Sequence, residues 1–191
     1  GFESMLTNTT GDRNVAVGFK ALKTMNDTDG SHTFNTAVGF AAGELTTTGT
    51  DNTFMGANAG NANTTGLRNT AVGKSSLAVN TTGSYSTAVG SNALTAATTG
   101  THNTAVGDFA LADNTTGDSN VAVGQGALEN NTTASDNTAV GKGAMTANTT
   151  GAENTALGKS ALEANTTGSN NVAVGHNSLD TATTSANNTA I

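Results

Sequence analysis

A glycine preceded by a short apolar stretch recurs at residues 18, 39, 56, 73, 90, 107, 124, 141, 158 and 175, so that after one step of 21 every later step is 17 residues. A period this strict marks a solenoid, in which each unit contacts only its neighbours. Counted from the asparagine that opens Asn14-Val-Ala-Val-Gly18, Asn35-Thr-Ala-Val-Gly39 or Asn69-Thr-Ala-Val-Gly73, the unit reads N-[TV]-A-V-G-x-x-[AS]-[LM]-x-x-N-T-T-G-x-x. Its β-branched residues around a small one favour a strand, and its Asn-Thr and Thr-Gly steps are turn chemistry. Two glycines per unit, at about 1 kcal/mol each against alanine, exclude a helix. The chain is therefore expected to be all-β, a parallel β-roll or β-solenoid of 17-residue coils, each with one or two short strands and two turns. Stacking at about 4.8 Å per coil makes a rod roughly 50 Å long. Residues 1–191 form a single repeat array with a four-residue insertion within 23–34. The array starts and stops inside a unit, which predicts a window of a longer repeat protein.

Stacking turns identical residues into columns. Asn103, Asn120, Asn137, Asn154 and Asn171 are expected to form a turn ladder whose amides bond along the rod. Within the strand, side chains alternate, so the alanine at the third position faces one way and its neighbours the other. If alanine lines the narrow inside, Val17, Val38, Val72, Val89, Val106, Val123, Val140 and Val174, with Leu157 in the same place, form an outward apolar stripe. Together with Phe54 these residues are the expected structural core, to be covered by further copies of the chain, because a continuous exposed stripe marks an interface. One coil breaks the pattern: Phe54 replaces the inward alanine, and the unit's leucine is glycine only at Gly43 and Gly60, in the coils before and after. The third and ninth positions are thus expected to share one interior.

Composition narrows the function. The formal charge is −7 with only seven Lys and Arg, scattered over the length, which gives no electrostatic footprint for nucleic acid. The chain has no cysteine, hence no disulfide frame or thiolate metal site. It also has no apolar run long enough to insert in a membrane.

The N-[TV]-A-V-G strand followed by x-x-[AS]-[LM] resembles the head repeats of YadA-like trimeric autotransporter adhesins. It is also similar to the repeats of phage tail fibres and bacterial surface fibres associated with intramolecular chaperone domains. The resemblance covers essentially the whole chain, although the units here are longer than those of the adhesin heads. It implies a left-handed parallel β-roll, a homotrimer around one axis, and attachment to a host or environmental surface receptor, glycan or protein. The implied location is extracellular, on a cell surface or a virion fibre.

Other chemistry has weaker support. The three histidines, His32, His102 and His176, occupy different positions in the unit and cannot form a ladder. Gly73-Lys-Ser75 and Gly158-Lys-Ser160 end like a phosphate-binding loop, but its first glycine is replaced by Arg68 and Glu153, so both read as surface turns. Asn8, Asn63, Asn80, Asn114, Asn131, Asn148 and Asn165 stand in formal glycosylation acceptors, which the turn role explains without sugar. Asp27 and Asp29 in the insertion lack the remaining ligands of a calcium loop, so a surface bulge is expected. No cofactor is expected and no enzyme: a β-helix polysaccharide lyase or hydrolase needs clustered charged residues that interrupt the repeat. An ice-binding solenoid is the remaining alternative, disfavoured by an expectation that the threonines of the second position are buried.

Overall fold

The computed structural model describes residues 1–28 and 32–191. The chain is a parallel β-solenoid of about ten coils with about 17 residues per turn, and no helix occurs among the described residues. Each coil supplies one strand: β1 Val15–Val17, β2 Thr36–Val38, β3 Thr53–Met55, β4 Thr70–Val72, β5 Thr87–Val89, β6 Thr104–Val106, β7 Val121–Val123, β8 Thr138–Val140, β9 Thr155–Leu157, β10 Val172–Val174 and β11 Thr189–Ala190. They form a single parallel sheet in chain order, and each residue pairs with its equivalent one repeat away, as in Ala88↔Ala105 and Val89↔Val106. The insertion does not disturb this register, since Val15 still pairs with Thr36 across 21 residues. Asp27, inside the insertion, is buried, whereas Asp29 lies outside the described residues.

A second strand per coil is absent among the described residues because the rest of the turn is built from left-handed residues. The seventh, ninth and seventeenth positions have positive φ whatever side chain they carry: Asn92 is at 56°, Leu94 at 51° and His102 at 58°. Such backbone costs a non-glycine residue about 1–2 kcal/mol. The cost is offset by hydrogen bonds to neighbouring coils, such as Leu94 N–H to the Ala110 carbonyl at 3.0 Å, and by burial of the leucine. At the fifth position the demand is for space: a Cβ on Gly56 would lie 2.5 Å from the Gly73 carbonyl oxygen of the next coil.

The interior of one chain is made from the alanines of the third and eighth positions and the leucine or methionine of the ninth, such as Ala105, Ala110 and Leu111, all fully buried. The residues expected to form the core divide accordingly. Among the residues expected there, only Phe54 is buried; Val17, Val106, Val140 and Leu157 are exposed, and Val38, Val72, Val89, Val123 and Val174 are half-buried. A three-residue strand turns only its middle side chain inward, so the valines face out of the chain that carries them.

Phe54 has no exposed surface, and the two glycines flank its ring. A Cβ on Gly43 would lie 2.7 Å from Phe54 Cδ2, and one on Gly60 would meet the ring more closely still. Their φ values, 58° and 57°, match those of the leucines found there in other coils, so volume rather than backbone freedom selects glycine. The third and ninth positions share one interior, as the sequence pattern requires. Phe54→Ala is expected to cost about 3–5 kcal/mol in denaturant unfolding. Adding Gly43→Leu and Gly60→Leu to that variant should recover much of the loss.

Candidate functional site: the outward sheet face and its asparagine spine

Behind the strands run two columns of buried asparagine. The first holds Asn103, Asn120, Asn137, Asn154 and Asn171, each at most 1% exposed. The side-chain oxygen of each accepts the backbone N–H of the next, at 3.0, 3.1, 3.0 and 2.9 Å in order. Asn103 Nδ2 meanwhile donates to the Gly117 carbonyl of its own coil at 2.8 Å. The column also runs through Asn35, Asn52 and Asn69, and where Ser86 interrupts it the hydroxyl oxygen takes over as acceptor for Asn103 N–H at 3.3 Å. Each coil is thus closed on itself and tied to the next by one side chain.

The second column, at the twelfth position, begins at Asn8 and continues with six buried residues, Asn63, Asn80, Asn114, Asn131, Asn148 and Asn165. Asn114 Nδ2 donates to the same Gly117 carbonyl at 3.0 Å, so two amides converge on one acceptor. Within its runs each amide also donates to the oxygen of the asparagine before it, as Asn131 does to Asn114 at 3.0 Å and Asn148 to Asn131 at 2.9 Å. This commitment and burial leave the amides of these six residues no room for a glycan. Sequence reading assigned them a turn role but missed the shared carbonyl.

The second column is interrupted, and the interruptions have a price. Asn8, Asn80 and Asn165 each bury a side-chain oxygen that has no partner, and in each case the next coil carries Met25, Ala97 or Ala182 in place of asparagine. One missing donor accounts for each orphan.

The sheet presents its second and fourth positions outward. Threonine is half-buried at Thr36, Thr53, Thr70, Thr87, Thr104, Thr138 and Thr155, while Val15 and Val172 in the same column are exposed. Within the single chain these threonines are thus partly covered rather than buried. Two parallel columns, one mostly threonine and one mostly valine, therefore share one in-register face without charged residues. Flanking columns differ in character. Phe2, Phe19 and Phe40 stack at centroid distances of 5.7 and 5.3 Å on one side. In the seventeenth-position column, Arg68 lies 5.6 Å from the Tyr85 ring, which stacks on His102 at 4.9 Å.

The ionisable groups do not converge. His32 pairs with Asp12 at 2.8 Å, His102 stacks on Tyr85, and His176 is exposed near the other end of the array. Lys23 lies 2.9 Å from Glu3; its hydrogen bond holds the Glu3 carboxyl below its ordinary pKa, and the lysine is raised in turn. Among the described residues no group of three His, Asp or Glu side chains is placed to hold a metal ion.

No family model, curated protein or solved structure matches this chain.

Ala97→Asn restores the missing donor to Asn80 and to the Gly100 carbonyl, and thermal melts should show a gain of about 1 kcal/mol. Asn131→Ala removes a link from an intact run and should cost about 1–3 kcal/mol in the same assay.

Proposed function

We propose that this chain is a structural shaft or head segment of a homotrimeric, left-handed fibre that attaches to a host cell or another surface and works outside the cell, on a bacterium or a virion. The observation that carries this reading is the outward face: eleven strands in register present a nearly uncharged threonine and valine surface along the rod. Side-by-side association of three rods covers that face in every coil at once, and the gain accumulates with length. The asparagine spine supplies a stiff scaffold, and the variable outer columns supply surface for a glycan or protein receptor. Many repeated weak contacts on three chains give an avidity that no single contact reaches. The role is mechanical rather than catalytic.

Light scattering on the purified segment is expected to give three times the chain mass. Val106→Asp places three carboxylates in the interface, at a cost of several kcal/mol per unpaired charge, and should dissociate the rod. Lys74→Asp is the control, at an exposed position where the unit ending at Ser119 naturally has Asp108. Equal melting and equal mass for both variants would refute the assignment of the interface.

The outward threonine column supports one competing reading, an ice-binding solenoid, since a flat and regular hydroxyl array can order water. That reading requires the same face to be bare. A monomer with thermal hysteresis would favour it over the fibre.

A further inference from the structure

The seventh position is half-buried or exposed at the coil surface in most units, where it carries lysine, serine, asparagine or phenylalanine, but it is glycine in two adjacent coils, Gly126 and Gly143. The missing side chains open a notch of about 190 Å³ two coils long. Phe109, at the same position one coil earlier and 41% exposed, forms its end wall. Phe109 stacks on no other ring among the described residues, unlike Phe19 and Tyr85.

The sides of the notch are polar and uncommitted. Lys142 and Gln125 come from the sixth position on one side and Glu129 from the tenth on the other. Among the described residues none of the three makes an ion pair or a side-chain hydrogen bond. The Thr146 hydroxyl donates to the carbonyls of Gly126 at 3.1 Å and Gly143 at 2.9 Å, so its oxygen is left as an acceptor at the floor.

We infer that this notch is a subsite for one pyranose ring of a neutral glycan. One lysine and one glutamate line it together, so an anion would meet the carboxylate and a cation the ammonium, while a neutral polyol satisfies both. Its hydroxyls can donate to Glu129 and Thr146 and accept from Lys142 and Gln125, and charged partners make the stronger of these bonds. The C–H face of a pyranose packs on an exposed aromatic wall, and glycines let the ring approach the backbone closely. The volume is below the roughly 300 Å³ at which pockets for larger ligands begin, which limits occupancy to a single ring. The inference deepens the attachment reading by naming a ligand class and rests on that reading for its biological role, whereas the binding chemistry needs only one chain.

The test is saturation-transfer NMR on the full chain with methyl glucopyranoside, methyl galactopyranoside, methyl mannopyranoside and methyl N-acetylglucosaminide as probes. At least one is expected to receive saturation from the Phe109 ring, with a Kd on the order of 1–10 mM. Gly143→Asn fills the notch with a residue that the same position already holds at Asn58, Asn92 and Asn177, at φ of 56–58°. That variant should weaken binding at least about tenfold with an unchanged melting curve. Phe109→Ser, which copies Ser75 and Ser160, should do the same, and Phe40→Ser should not. No transfer to any of the four probes, or equal transfer in the wild-type and Gly143→Asn chains, overturns the subsite. Binding by a chain that light scattering finds monomeric would keep the subsite and remove the fibre, so the two readings fail separately.

Discussion

Axial hydrogen bonding between equivalent residues of successive coils is the constraint on which the rest of this structure depends. Each coil has little apolar material to bury, essentially one leucine and two alanines, so it cannot be held by a core in the ordinary sense. Its order comes from the asparagine that closes the turn on the Gly117-type carbonyl while accepting the N–H of the next coil. A side chain that acts both within a coil and between coils demands that every coil superimpose on its neighbours. Parallel register, columns and a fixed repeat length follow from that demand.

Once the chain is a set of columns, tolerance to change depends on which way a column faces. Inward columns vary only with compensation between coils: Phe54 is accommodated because Gly43 and Gly60 give way on either side. Outward columns vary freely, and there the chain places its stacked phenylalanines, the Arg68, Tyr85 and His102 stack, and the glycine notch beside Phe109. The sheet face is intermediate, open to solvent in one chain and yet restricted almost entirely to threonine and valine. That restriction is what an interface imposes, and the proposed fibre is built on it.

Much of the fold was legible in the sequence because the repeat exposes it. The strand positions, the inward alanine, the shared interior of the third and ninth positions and the first asparagine ladder all follow from spacing and alternation. The outward direction of the valine row was legible too, because alternation in a three-residue strand turns just one side chain inward. Other features were hidden for identifiable reasons. Leucines such as Leu94 and Leu111 lie in the left-handed region, where intrinsic preference opposes them and only the stacked coils hold them. Convergence of Asn103 and Asn114 on one carbonyl joins residues 11 positions apart and leaves no trace in local turn chemistry. Gly126 and Gly143 carry no local signal of the notch, which appears only once the two coils are stacked beside Phe109.

The proposed fibre requires that the threonine and valine face be covered in the assembled rod. Methyl NMR in the presence of a soluble paramagnetic agent measures this directly. In the fibre the methyls of Val106, Val123 and Val140 are expected to be shielded about as well as those of buried Leu111 and Leu128, while methyls on the outer columns broaden. Valine methyls that broaden as strongly as the exposed ones would contradict it.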